Sequence, residues 1–172
     1  ELAASKITSG TFDSARLPAG VSFGSGGGGG ISSDADGNTA GGSNALDSLT
    51  SGQGTDNTAF GINAGTAITT GDQIVAIGHD ALKTSTASNR IVAIGSETMS
   101  AGTGGFRNIA IGYQTGQNIT GNDNVLIGDQ VLVNHTATHR NVMIGSAIAF
   151  RQNGGNDNTY IGYTAGTGFG FY

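Results

Sequence analysis

Short apolar stretches that each end in glycine recur along most of this chain. The stretches read NTAFG, IVAIG, IVAIG, NIAIG, NVLIG, NVMIG and NTYIG, and successive glycines are 17 residues apart except for one step of 16. These glycines are Gly61, Gly78, Gly95, Gly112, Gly128, Gly145 and Gly162. So regular a period is typical of a solenoid, in which each repeat forms one coil that stacks on its neighbours. The sequence therefore predicts an all-β chain that forms a parallel β-solenoid, or β-roll, of about seven coils.

Within each stretch, apolar side chains alternate in size. Counted back from the glycine, position −1 holds Ile or Phe and position −3 holds Val, Ile or Thr. Position −2 holds four successive alanines and then Leu126, Met143 and Tyr160. Alternation of this kind is typical of a strand with two different faces. We predict that positions −1 and −3 face the coil interior, and that the alanines pack closely against a neighbouring chain.

The residues after each glycine are expected to bring the chain back to the next coil. The glycine itself is predicted to end the strand where a positive φ or a close backbone approach is needed. We predict a second short strand at positions +3 to +7, followed by a return tract rich in Thr, Gly, Asn and Asp. Because one such coil encloses little apolar volume and leaves an alanine stripe uncovered, two further identical chains are expected to complete a homotrimer.

Two polar columns precede the apolar positions. Position −4 is asparagine in five coils, interrupted by Ile74 and Ile91, and stacked asparagines bond amide to amide along an axis. These asparagines are Asn57, Asn108, Asn124, Asn141 and Asn158. Position −5 alternates in charge from Arg107 onward, which favours ion pairs between neighbouring coils. Arg90 beside Arg107 is a like-charge exception that only another chain's carboxylate would explain.

The chain divides into three segments. Residues 1–41 form an N-terminal segment that ends in an oligoglycine tract at 24–30 and a polar, turn-rich stretch. The oligoglycine is interpreted as a flexible linker, with a tightly packed fibre segment as the alternative. Residues 42–166 form the repeat domain, beginning with a degenerate unit near Gly42. Residues 167–172 are predicted to form an aromatic cap or joint.

Composition narrows the classes of partner. Charged residues make up only 11% of the chain and the net charge is −5, whereas nucleic-acid surfaces and polybasic membrane patches need clustered Lys and Arg. The absence of an apolar run near 18 residues argues against a spanning helix. The chain has no cysteine, so it has neither disulfides nor thiolate chemistry. We therefore predict no nucleic-acid partner and no membrane insertion.

The repeat unit resembles a known group of fibres. N-x-A-I-G units closely resemble the β-roll repeats of trimeric autotransporter adhesin heads and the repeats of bacteriophage tail fibres and tail spikes. The segment KITSGTFDSARLP resembles a stretch common in phage tail-fibre shafts, which favours the phage group. The resemblance implies a homotrimer of left-handed parallel β-rolls whose role is attachment to a surface. It places the protein outside the cell, on a virion.

Motifs that carry catalytic chemistry in other proteins lack their context in this chain. Residues 20–24 match G-x-S-x-G, but oligoglycine follows where a nucleophile elbow needs a helix. Residues 24–29 match G-x-G-x-x-G without a surrounding βαβ unit. No pair of carboxylates resembles a glycosidase site, because the recurring aspartates occupy repeat positions. We therefore predict that the protein is not an enzyme and that it has no catalytic residue and no cofactor.

Metal binding is the alternative interpretation of two polar tracts. His135 and His139 form an H-x-x-x-H motif, but they fall where other coils have return loops. The Asn-Asp-Asn tracts at 122–124 and 156–158 offer oxygen ligands for Ca²⁺, yet they lack the G-G-x-G-x-D repeat of calcium β-rolls. Loop, turn and ladder roles are the preferred interpretation, so no metal site is predicted.

These inferences lead to one expected function and two alternatives. We expect a non-enzymatic, trimeric fibre module for host attachment, with a cell-surface glycan or protein as receptor and with adjoining fibre segments. We predict that the aromatic terminus at Phe169, Phe171 and Tyr172 contacts the receptor. The alternatives are a structural spacer or subunit of an extracellular filament, and a bacterial trimeric adhesin head. A polysaccharide-degrading spike would need a wider coil with a carboxylate-lined groove.

Overall fold

One parallel sheet runs the length of the repeat domain. The computed structural model describes residues 31–134, 137–148 and 155–166. Nine strands lie side by side in chain order, and all neighbours are parallel except the antiparallel first pair. They are β1 (Ile31–Ser33), β2 (Thr39–Gly41), β3 (Thr58–Phe60), β4 (Asp72–Ile77), β5 (Asn89–Ile94), β6 (Ile109–Ile111), β7 (Val125–Asp129), β8 (Val142–Ser146) and β9 (Thr159–Ile161). No helix occurs among the described residues. The predicted all-β parallel solenoid is confirmed.

The strand register follows the sequence period. Ala59 lies opposite Ala76, and Ala76 lies opposite Ala93, so equal positions of successive coils stack on one another. The shorter step keeps the same alignment, since Ala110 lies opposite Leu126. Its missing residue is therefore lost outside the strand. At about 4.8 Å per strand, the eight parallel strands span about 34 Å along the axis.

The sheet starts before the boundary predicted at residue 42. Thr39 pairs with Thr58, so β2 belongs to the first, degenerate coil. β1 folds back on β2 as an antiparallel hairpin whose turn is fixed by Asp34, because the Oδ1 atom of Asp34 accepts a hydrogen bond from the backbone N–H of Asn38 at 2.9 Å. Residues 1–30, with the oligoglycine tract, lie outside the described residues, as do residues 167–172.

The prediction for the two strand faces was wrong. The four alanines of position −2 are fully buried inside their own coil, in one core cluster with Ile68, Leu82 and Ile119. Position −1 lies outside, and Ile77 and Ile144 are each 37% exposed. The physical reason is that the left-handed residues after the glycine fold the chain back over the face of position −2, so this face is covered within its own coil whether it holds Ala76 or the larger Leu126. The alanines therefore cannot contact a neighbouring chain.

The predicted second strand at positions +3 to +7 is also absent from the described coils, where this segment is a series of turns. Residues at +2 and +4 adopt left-handed backbone conformations, for example Asp80 (φ 58°) and Leu82 (φ 51°). This curled backbone still bonds to the next coil, because the N–H of Leu82 donates to the carbonyl of Thr98 at 2.9 Å. Three coils have glycine at +4, and this glycine could have indicated a turn at that position from the sequence alone.

The repeated glycine meets both conditions expected of it. Gly61 and Gly78 each have φ of 132°, a conformation that side-chain-bearing residues rarely adopt. A Cβ atom added to Gly61 would collide with the carbonyl oxygen of Gly78, and one on Gly78 would collide with that of Gly95. Close stacking of the coils therefore depends on glycine at this position.

Candidate functional site

The outer face of the parallel strands is an apolar strip that runs along the solenoid. Each of its residues is half-buried or exposed. Position −1 contributes Phe60, Ile77, Ile94, Ile111, Ile127, Ile144 and Ile161, and position −3 contributes Thr58, Val75, Val92, Ile109, Val125, Val142 and Thr159. Soluble single chains rarely expose so continuous an apolar surface, and such surfaces mark interaction sites. We call this surface the outer strip.

The asparagine column lies inside the coil, directly behind the strip. The Oδ1 atom of Asn108 accepts hydrogen bonds from the backbone N–H and the Nδ2 of Asn124 at 2.8 and 3.0 Å. The Nδ2 of Asn124 also donates to the carbonyl of Thr138 at 2.8 Å. Asn141 and Asn158 repeat the amide-to-amide bond. Asn57, Asn108, Asn124 and Asn141 thus each tie a strand to the next strand and to a return tract.

Position −5 forms the first polar edge of the outer strip, at the start of each strand. All seven residues of this column are left-handed, with φ between 54° and 63°. Arg107 donates from Nε and Nη2 to the two carboxylate oxygens of Asp123 at 2.6 and 2.9 Å, and Arg140 binds Asp157 with the same distances. These hydrogen bonds, together with the nearby positive charge, lower the pKa of both carboxyl groups. Arg90 donates to the amide oxygen of Gln73, at 3.3 Å.

Position +2 forms the second polar edge, beyond the end of each strand, and sequence reasoning missed it. The Nδ2 of Asn63 donates to Asp80 at 2.8 Å. The Nε2 of Gln114 donates to Glu97 at 2.8 Å, and Gln130 donates to Gln114 at 3.1 Å. The signal was an unbroken run of Asn, Asp, Glu or Gln at +2 from the degenerate unit of Gly42 to the unit of Gly128. Such side chains bond to one another when coils stack in register.

Asp80 has an additional partner on this edge. Lys83 donates to its Oδ2 atom at 3.0 Å. Partial burial opposes ionisation of Asp80, but the hydrogen bonds from Asn63 and Lys83 outweigh it and lower the pKa. Asp80 is therefore a charge that is already balanced within its own chain.

The tracts for which metal binding was the alternative interpretation provide ties between coils. The Nδ1 atom of His139 accepts a hydrogen bond from the backbone N–H of Asn122 at 3.1 Å, and Asn122 accepts one from the N–H of Phe106 at 2.9 Å. His135 lies outside the described residues. Among the residues that the structure does describe, no group of three or more His, Asp or Glu side chains is arranged to hold a metal ion.

The N-terminal end of the solenoid contains a cavity of about 510 Å³. It is lined by apolar side chains that include Leu46 and Leu49, and by the carboxylates of Asp34 and Asp47. The predicted receptor residues Phe169, Phe171 and Tyr172 lie outside the described residues. No described helix is long and apolar enough to cross a membrane.

Comparison with known proteins supplies no relative from which a function could be inferred. No protein-family model, no curated protein and no solved structure matches the chain. The outer strip with its two polar edges is therefore the candidate functional site on physical grounds alone.

Proposed function

We propose that this chain is a non-enzymatic β-roll module of a homotrimeric fibre that attaches to a host cell surface, in the manner of phage tail fibres. The observation that supports it most is the outer strip. A single chain leaves aliphatic side chains such as Ile77, Ile109 and Ile144 more than a third exposed to water. Burying such side chains is the main favourable contribution to protein association.

A threefold arrangement suits the shape of this surface. From the coil of Gly61 to that of Gly128, polar residues at −5 and +2 bound the strip on both sides, so its apolar part there is about as wide as one short strand. Three such strips that face a common axis would bury one another and leave the polar edges at the seams. In this proposal the contact with neighbouring chains is therefore made by positions −1 and −3 and not by the alanines.

Rigidity and repetition support an attachment role for the assembly. The buried asparagine column and the stacked coils form a stiff rod, and rods of this kind hold a binding tip away from the particle that carries them. In this proposal the module lies outside the cell, on a virion, and joins adjoining fibre segments. Its receptor is a cell-surface glycan or protein.

The first experiment measures the mass of the assembly by light scattering. A homotrimer gives about 51 kDa, three times the 17.0 kDa of one chain. Ile77→Lys/Ile144→Lys places charges on the strip and is expected to yield monomers. The matched control is Thr86→Lys/Thr120→Lys, which alters two exposed polar residues of return tracts and leaves the trimer intact. A wild-type mass of 17 kDa would contradict the proposal.

A second experiment tests attachment. Fluorescently labelled protein is expected to bind host cells or surface glycans saturably as a trimer, and much more weakly as the Ile77→Lys/Ile144→Lys monomer, because avidity is lost.

The main alternative function is that of a filament subunit. The observation that favours it is the apolar and acidic cavity at the N-terminal end, which could receive the end of another subunit. Open-ended assemblies larger than a trimer, with no cell or glycan binding, would support that alternative.

A further inference from the structure

One coil differs from all others in the charges at the two edges of its outer strip. In the coil of Gly95, Arg90 lies at position −5 and Glu97 at position +2. Neither has an oppositely charged partner among the residues that the structure describes. Arg90 contacts the neutral Gln73, and Glu97 accepts hydrogen bonds from Gln114 and Gln117.

The other coils do not share this combination. Arg107 and Arg140 are neutralised by aspartates of the next coil, and in both coils position +2 is uncharged. In the coil of Gly78 the acidic Asp80 is balanced by Lys83, and position −5 is Gln73. Opposite, unbalanced charges at both edges therefore occur at one level of the described solenoid.

Neighbouring coils offer neither of these two charges an opposite charge. Arg90 stacks next to Arg107 in the −5 column, and Glu97 stacks next to Asp80 in the +2 column. Arg107 and Asp80 are already paired, with Asp123 and Lys83. Both unpaired charges would gain a partner if Arg90 of one chain met Glu97 of another.

Cyclic symmetry brings these edges together. In a ring of parallel solenoids, each chain contacts the next through opposite edges, so a −5 edge meets a +2 edge. A closed ring has no translation along its axis, so equal coils lie at equal heights. Arg90 and Glu97 belong to the same coil and would therefore meet at the same level, whichever way the solenoid winds.

We propose that Arg90 of each chain binds Glu97 of the neighbouring chain, and that three copies of this ion pair fix the register of the parallel homotrimer. The inference rests on the proposed trimer and adds to it the residues that align the chains. The apolar strip supplies attraction but varies little from coil to coil. A sliding error of one coil would leave it buried, whereas it would separate these charges.

Disulfide trapping tests the contact directly. The chain contains no cysteine, so Arg90→Cys/Glu97→Cys introduces the only thiols. A disulfide needs Cα atoms within about 7 Å, and the strand from Arg90 to Ile94 alone separates the two positions of one chain by about 13 Å. Oxidation is expected to give a covalent trimer on a denaturing, non-reducing gel.

Asp56→Cys/Glu97→Cys is the matched control for trapping. Asp56 occupies position −5 two coils away, with the same φ of 57° as Arg90, and is expected to stay monomeric on that gel because the axial offset is about 10 Å. A 51 kDa particle in solution in which Asp56→Cys/Glu97→Cys forms covalent trimer as readily as Arg90→Cys/Glu97→Cys would overturn this inference and leave the trimer standing. A 17 kDa particle would overturn both.

Charge reversal provides an independent readout. Arg90→Glu places a carboxylate next to Arg107 in the −5 column, so a role confined to one chain predicts equal or greater stability of that chain. The proposed contact instead predicts that the concentration at which the trimer dissociates rises by about tenfold or more. The double swap Arg90→Glu/Glu97→Arg is expected to restore it. Weaker assembly of both variants, or of neither, would contradict the proposal.

Discussion

Four central coils fill the same cross-section in two ways. The coils of Gly61 and Gly112 have asparagine at −4, glycine at +4 and isoleucine at +7. The coils of Gly78 and Gly95 have isoleucine at −4, Leu or Met at +4, and Ser or Gly at +7. In the asparagine coils these three positions are Asn57, Gly65 and Ile68 in one coil, and Asn108, Gly116 and Ile119 in the other. In the isoleucine coils they are Ile74, Leu82 and Ser85 in one coil, and Ile91, Met99 and Gly102 in the other. A large side chain at one interior position is thus matched by a small one at another, as close packing requires.

The two coil types also hold their return tracts differently. In an asparagine coil the amide does so, since the Nδ2 of Asn57 donates to the carbonyl of Gly71 at 2.7 Å. Near the isoleucine coils, the hydroxyls of Ser85 and Ser88 both donate to the carbonyl of Thr103, at 2.6 and 2.7 Å. The comparison shows that each buried carbonyl needs a hydrogen-bond donor, and that either an asparagine amide or a serine hydroxyl can serve as that donor.

The largest expected effect breaks what the two coil types share. Gly78→Ala and Gly112→Ala place a Cβ against the next glycine's carbonyl at a strained φ, so each is expected to lower the free energy of unfolding by about 3 kcal/mol or more. Urea unfolding followed by circular dichroism measures this loss. Gly52→Ala is the control, because Gly52 also has a positive φ but open space around it. Equal losses at Gly52 and Gly78 would refute the stacking argument.

The next effect separates the coil types. Asn108→Ile removes the donors to the carbonyls of Gly104 and Gly121 and overfills a coil that already holds Ile119, at an expected cost of about 2–4 kcal/mol. Adding Gly116→Met and Ile119→Gly converts the coil to the isoleucine type and should recover part of that loss in urea unfolding. No recovery would show that interior volume is not exchanged between these positions.

A smaller loss is expected where hydroxyls replace the amide. Ser88→Ala removes one donor to the buried carbonyl of Thr103, but Ser85 remains, so the expected cost is about 1 kcal/mol. Thr86→Ala removes an exposed hydroxyl from the same tract and should stay within about 0.5 kcal/mol of the wild type. The unfolding midpoint in urea distinguishes these cases, and a loss as large as that of Asn108→Ile would contradict the exchangeable-donor view.

The smallest effect concerns the charged edge and appears as a pH dependence. The hydrogen bonds from Arg107 and Arg140 hold the pKa of Asp123 and Asp157 below the ordinary aspartate value. The stabilisation they give is therefore present above the unfolded-state pKa near 4 and is lost as the pH falls through the folded-state values. Asp123→Asn/Asp157→Asn should flatten the decline of the unfolding midpoint between about pH 5 and pH 2. An unchanged slope would show that these exposed pairs contribute nothing.

The sequence by itself determined the architecture. A fixed period with glycine at one position of every unit allows only coils that stack in register, so the parallel sheet and the columns of equal positions follow from it. The bonds of the asparagine column and the Arg–Asp pairs could be anticipated for the same reason. Residues one period apart must become neighbours.

Only the tertiary structure decided which strand face lies inside. Alternation shows that a strand has two faces, but both faces here are apolar, so hydrophobicity could not rank Ala76 against Ile77. The deciding factor is the left-handed turn after the glycine, which folds the chain back onto the face of position −2. That turn also created the second polar edge, since it places Glu97 beyond the strand that starts beside Arg90. Backbone geometry, and not composition, therefore determines which face of the strands remains outside and available to other chains.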